Sequence, residues 1–235
     1  MKALRVELYQ DHVCWRQETG YRFFQTYPLP TPSMVRGLVH KLMGVKPGGN
    51  RYIPLKISIQ GRYDSIFVDM QRWDMETKKR NGASNADSHT LMFWEELANV
   101  CLTLHIAFKN DNETNLIKLK EGFIGNTVVL GRNEDITRID SIDIVELVTP
   151  SNKLSPKYPM FMPKNEDNEG YPVFHLPFAY SIIGSQRIFK YIDACLINAG
   201  SQIKSKYCLV ACNYPEHPVC FLELNDDDEK DISEK

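Results

Sequence analysis

Residues 27–44, YPLPTPSMVRGLVHKLMG, turn a proline-rich loop into a helix. Thr31 offers an N-cap hydroxyl, and Pro32 suits the first helical position, where its missing N–H costs nothing. The helix is expected to run to about Met43 and to stop at Gly44. Met34, Leu38 and Leu42, with Val35 and Val39 beside them, form its apolar stripe.

Strands flank this helix on both sides. Leu4, Val6 and Leu8 alternate with Arg5, Glu7 and Tyr9, which predicts a half-buried strand. Leu55, Ile57 and Ile59 alternate with Lys56, Ser58 and Gln60. Leu102, Leu104, Ile106 and Phe108 repeat the pattern. A second helix is expected over 113–121, ended by Gly122. Val128–Leu130 is a short apolar run, and a last strand lies around Ile142–Leu147, apolar on both faces. The order is β-α-β, an insertion, then β-α-β. This predicts an α+β, ferredoxin-like (RRM-like) domain over 1–149, with a long insertion at about 63–99. Residues 150–172, rich in Pro, Asn, Lys and Glu, suggest a linker. Residues 173–225 suggest a small α+β appendage with a helix at Arg187–Asn198.

The 235 residues carry a net charge of −2. Residues 226–235, DDDEKDISEK, hold six acids against two bases and are expected to form a disordered tail. Residues 1–100 instead hold 14 bases against 10 acids. That bias is compatible with phosphate contacts. No run approaches the ~18 apolar residues of a membrane span. The amino terminus alternates and so lacks a signal-peptide core. The expectation is a cytoplasmic protein with reduced thiols and no membrane contact. Cys208, Cys212, His217 and Cys220 follow a C-x3-C-x4-H-x2-C spacing. Zinc accepts that ligand set, but small buried residues of a hairpin explain the pattern better, and no metal is expected.

Three features could contact RNA, and each also has a purely structural explanation: a helix–sheet contact with a solvated edge, a solvated loop with Trp73 packed back on the domain, and glycines that serve as caps and turns. Ser33, Arg36, Gly37 and His40 share one helical face, where the glycine leaves room for another backbone. Tyr27 precedes that helix. The insertion holds Arg72-Trp73 and then Lys78-Lys79-Arg80, followed by an Asn81-Gly82 turn. Together these suggest a basic-tipped hairpin with a stacking aromatic. Gly131-Arg132, in a glycine-rich segment that starts at Gly122, could present N–H groups to a phosphate. No G-x-x-x-x-G-K-[ST] or G-x-G-x-x-G occurs, so no nucleotide cofactor is expected.

The opening Arg5-Val-Glu-Leu-Tyr-Gln, the stretch Tyr27–His40 and Leu130-Gly-Arg-Asn-Glu-Asp-Ile-Thr-Arg138 resemble the Cas-five family of CRISPR-associated RAMP proteins, most closely its type I-B branch. The resemblance covers roughly residues 1–145. It implies a ferredoxin-like domain with a β-hairpin thumb between its second and third strands. It also implies binding to the 5′ handle of the guide RNA (crRNA) within Cascade, contact with the backbone and large subunits, and a role in antiviral defence. Contact with target DNA near the PAM stays open. One branch of the family, in type I-C systems, cuts precursor RNA without metal. Such cleavage needs an acid, a base and a cation, which Tyr27, His40 and Lys41 could supply. Lys41 points away from His40, however, and no Lys-His pair follows where that branch carries one. The expectation is a non-catalytic subunit with no catalytic residues. The alternative is an endoribonuclease that processes precursor crRNA.

Overall fold

Period-two alternation resolves into strands, and two apolar stripes resolve into helices. The fold is that of a computed structural model, which describes residues 1–20, 22–45, 53–74, 89–110, 113–183, 186–225, 228 and 232. The elements in order are β1 (Lys2–Val13), β2 (Phe23–Phe24), α1 (Pro32–Leu42), β3 (Leu55–Arg62), β4 (Ser65–Asp74) and β5 (His89–Phe108). Then come α2 (Glu113–Gly125), β6 (Val128–Val129), β7 (Ile136–Val148), β8 (Met160–Pro163), β9 (Val173–Ile183), β10 (Gln186–Ile197), β11 (Leu209–Ala211) and β12 (Tyr214–Val219). The protein is α+β: two helices on a mostly antiparallel sheet of order β12-β11-β7-β1-β5-β3-β8-β10-β9. β2 and β4 add to β5, and β6 adds to β7.

The Thr31 hydroxyl accepts from the Met34 N–H at 3.4 Å, so α1 starts where its cap predicts. Gly44 ends it at φ +74°, a left-handed conformation that glycine adopts without strain. α2 runs past Gly122 to Gly125. A Cβ on Gly122 would sit 2.8 Å from the Leu42 carbonyl, so this glycine lets the two helices touch and does not stop α2.

The sheet has two different faces. Leu4, Val6, Leu8, Ile57, Ile59, Leu102, Leu104 and Ile106 join Val35, Leu38, Val39, Leu116, Leu119 and Phe123 in one apolar core. The alternate residues of the same strands are polar. Arg5, Ser58, Gln60, Thr103 and His105 are nevertheless at most 1% exposed. The carboxyl-terminal segment covers them. β11 pairs with β7 through Val210 and Val148, and β12 then crosses beneath the sheet. The Arg5 guanidinium lies 3.6 Å from the Tyr214 ring centroid. Gln60 meets His217 Nδ1 at 2.8 Å and donates to the Pro218 carbonyl at 3.1 Å. Leu222 finally exchanges both backbone hydrogen bonds with Ile57. This strap therefore runs across the face from β7 to β3.

Three sequence expectations give way here. Residues 186–197 are strand β10, not a helix. Ile188, Phe189, Tyr191, Ile192 and Ile197 are β-branched or aromatic and fit a pleated surface. The region 173–225 holds no α-helix among its described residues and extends the main sheet. The supposed linker contains β8, whose Met160, Phe161 and Met162 are buried. In the acidic segment, Asp228 lies 2.8 Å from Lys190 Nζ, and Ile232 packs against the core.

Candidate nucleic-acid interface

Within the 63–99 insertion, β4 pairs antiparallel with the first half of β5, and residues 75–88 lie outside the described residues. β5 is continuous, yet it changes partner midway, pairing with β3 over 101–108 and with β4 over 89–98. Asn99 sits at the change with φ +53°, and Tyr9 Oη donates to its Oδ1 at 2.8 Å. Asparagine tolerates the left-handed region better than most residues, so it suits this joint.

The hairpin has two faces of opposite character. The cross-strand pairs Val68–Glu95, Met70–Phe93 and Arg72–Leu91 share one face, and β2 adds Phe23 beside Phe93. On that face Val68, Met70 and Leu91 are more than half exposed, and Phe23 and Phe93 are about 40% exposed. The opposite face places Met92 and Trp94 against Phe24 and Cys14, with Glu96 further along it. Exposed Arg16 lies with its guanidinium 3.7 Å from the Phe24 ring centroid. Arg22 is exposed as well, and its carbonyl accepts from Phe93 N–H at 2.9 Å. Thr19, Gly20, Arg22, Phe23 and Gln25 line a shallow recess there. Arg16 and Arg22 thus flank β2 midway along the β5 arm, and Arg72 lies further out, opposite Leu91 on the apolar face. Arg16, Arg22, Phe23 and Phe93 were not singled out from sequence. The Arg-x5-Arg-Phe-Phe run at 16–24 was the available signal.

The expected site residues fare unequally. Lys78, Lys79 and Arg80 lie outside the described residues, as does the Asn81-Gly82 turn. The backbone of Trp73 pairs with Thr90, which puts it on β4. On α1, Gly37 is exposed, and a Cβ there would meet nothing within 4 Å. No neighbour among the described residues requires that glycine. Ser33 is half-buried. Arg36 is only 6% exposed, with its Nε 3.4 Å from His40 Nε2. Burial and then the Arg36 charge push the His40 pKa down to about 4. Tyr27 is half-buried, its ring 6.4 Å from Phe174, and burial raises its pKa.

Arg132 is a correction. Its guanidinium meets Asp135 Oδ1 at 2.9 Å and Glu96 Oε1 at 2.7 Å, and the side chain is only 14% exposed. Two carboxylates already hold it, so it has no free fork for a phosphate. Gly131 adopts φ +131° beside them, and a Cβ there would collide with the Asp135 carboxylate. The Gln10 side chain donates to the carbonyls of Leu130 and Asp135, at 3.1 and 3.0 Å. This loop braces the hairpin root.

The four-residue metal spacing also disperses. Cys212 is exposed, His217 faces Gln60, and Cys208 and Cys220 lie in an apolar cluster with Met160 and Met162. No group of three potential ligands that could hold a metal occurs among the described residues. No described helix is long and apolar enough to cross a membrane.

Two helices on one face of a mostly antiparallel sheet, with a two-faced hairpin, define an α+β protein with its candidate interface along that hairpin. The family described as "CRISPR-associated protein (Cas_Cas5)" matches residues 3–149. The chain belongs to this Cas5 family. No curated protein matches it in sequence. In structure it is similar to a chain of a "CRISPR RNA-guided surveillance complex". The TM-score is 0.59 at 14% identity, over 85% of this chain and 91% of that one. It is also similar to a chain of the type III-B Cmr-beta complex bound to cognate target RNA and AMPPnP. There the TM-score is 0.50 at 13% identity, over 88% and 86% of the two chains.

Proposed function

We propose that this protein is the non-catalytic subunit that caps the 5′ handle of the crRNA in a type I-B Cascade complex, joining the backbone and large subunits. The observation that carries the reading is the two-faced hairpin on a Cas5 scaffold. Its apolar face is suited to a protein neighbour, because contiguous exposed apolar side chains mark interaction surfaces. Arg16, Arg22 and Arg72, spread along the hairpin, suit phosphates. The similar solved chains come from RNA-guided assemblies. A ferredoxin-like core is part of the same reading: the order β7-β1-β5-β3, with α1 after β1 and α2 after β5, is the order of that plan.

RNA-recognition modules stack bases on the open face of their sheet. Here the strap covers that face, so the proposed RNA path follows the hairpin and α1 instead. His40 favours a non-catalytic role: a group with a pKa near 4 is a poor match for proton transfer at neutral pH. The ribonuclease alternative predicts cleavage of repeat RNA by the purified protein in chelator, abolished by His40→Ala. The proposed role predicts no cleavage. Co-expressed with its partner subunits and a repeat array, the protein should be recovered with RNA protected at a uniform 5′ end. A ragged 5′ end in a complex that contains this subunit would refute capping.

A further inference from the structure

The β9–β10 hairpin carries a run of rings that the proposed RNA path does not use. Tyr180 and Phe189 lie 5.5 Å apart, Phe189 and Tyr191 6.2 Å apart, and Tyr191 and His175 4.5 Å apart. The last pair is parallel, with 10° between the ring planes. Both rings of that pair are held in place. Tyr191 Oη donates to Glu18 at 2.7 Å, and His175 Nδ1 lies 2.8 Å from Asp193 Oδ1. An in-plane partner fixes the His175 ring without blocking its faces. One face rests on Tyr191. The side chain is still 68% exposed, so the other face is open to solvent. The stack therefore ends in an unoccupied aromatic surface.

We infer that His175 and Tyr191 form a stacking platform for an unpaired base of single-stranded RNA, separate from the β4–β5 hairpin. Ring orientation fixed before binding lowers the ordering cost of association. The carboxylates of Glu18 and Asp193 lie in the planes of the rings they hold, and cations lie at the margins of the platform. Exposed Lys164 donates its backbone N–H to the Asp193 carbonyl at 3.1 Å. At the far end of the run, exposed Arg187 sits 4.9 Å from the Tyr180 ring centroid. α1, packed beside β9, contains Arg36, His40 and Lys41 and no acid. Bases of any identity present a π-face, so the platform tolerates any sequence.

The inference rests on the RNA-binding reading above, and its test separates the two. The full chain, in low salt, is irradiated with a 10-mer RNA carrying 5-iodouridine, and cross-linked peptides are mapped. Cross-links to His175 or Tyr191 are expected. His175→Ala should remove them and weaken binding by about 5- to 150-fold, the range for losing one stacked base. His175→Phe keeps a ring and should restore binding. The side chain is exposed, so the thermal midpoint should not move in either variant. Cross-links confined to α1 or the β4–β5 hairpin, with His175→Ala binding normally, would overturn this inference and leave the functional reading standing. Absence of any cross-link would overturn both. Normal RNA binding by His175→Ala with loss of a co-purifying subunit would reassign the stack to a protein contact.

Discussion

Arg132 Nη1 lies 2.7 Å from Glu96 Oε1, across 36 residues of sequence, and ties the loop after β6 to the hairpin root. Asp135 completes the node. Truncating Arg132 would leave two carboxylates, 5% and 2% exposed, without their cation. Breaking a buried pair from one side costs about 3–5 kcal/mol. Arg132→Ala should therefore lower the thermal midpoint of the isolated chain by about 6–20 °C. An unchanged midpoint with weakened RNA binding would instead make Arg132 a direct RNA ligand.

Gly37 predicts the opposite sign. It is mid-helix and exposed, with no neighbour among the described residues within 4 Å of a prospective Cβ. Alanine there should stabilise the isolated protein by about 0.5–1 kcal/mol in urea unfolding. If the glycine admits a close RNA or protein backbone, the same variant should reduce recovery of guide-bound complex. Full recovery would show that the open face has no occupant.

The apolar face of the hairpin can be tested by the pair Met70→Ser and Phe93→Ser. Both side chains are exposed, 57% and 42%. Each substitution should change the stability of the isolated chain by no more than about 0.5 kcal/mol. Co-purification of neighbouring subunits should nevertheless fall in pull-downs from co-expressing cells. Retained subunits at wild-type stoichiometry would count against this face as a protein contact.

Acid should destabilise the protein through His105. The ring is fully buried between Arg5 and His217, and burial, then those neighbours, push its pKa down to about 3. The unfolded chain takes up this proton near pH 6.5, whereas the folded protein refuses it until about pH 3. Stability is then complete above pH 6.5 and lost as pH falls toward 3. The loss is up to about 1.4 kcal/mol per pH unit from this group. His40, partly exposed, adds a smaller contribution in the same direction. Urea unfolding at pH 7.5 and pH 5 should show the decline, and His105→Leu should flatten it. Equal slopes for both proteins would remove His105 as the cause.

Local signals were legible in the sequence. Thr31-Pro32 marked the start of α1, and the β1, β3 and β5 alternations marked the central strands. The insertion at 63–99 was recognisable because it was too long for a turn. Long-range facts were not legible. Ile188 and Ile192, or Tyr191 and Cys195, share helical as well as strand spacing, and only pairing with β9 settles the matter. Gly131-Arg132 resembles an anion loop until Glu96 and Asp135 arrive from elsewhere. Arg5, Glu7, Ser58, Gln60 and His105 read as a solvent face, because nothing in β1, β3 or β5 announces a cover from residues 214–222.

That cover has a consequence for how the protein comes into being. Residues 3–149 match the family model, yet their sheet is unfinished until Leu222 reaches Ile57. During synthesis the ribosome delivers the strap some 70 residues after β7. Until then Arg5, Gln60 and His105 lack their cover, and Ile57 lacks its Leu222 partner. The first two-thirds of the chain thus emerges before the segment that completes its sheet. A partner recruited before that point would meet a different surface from the one it finds on the finished subunit.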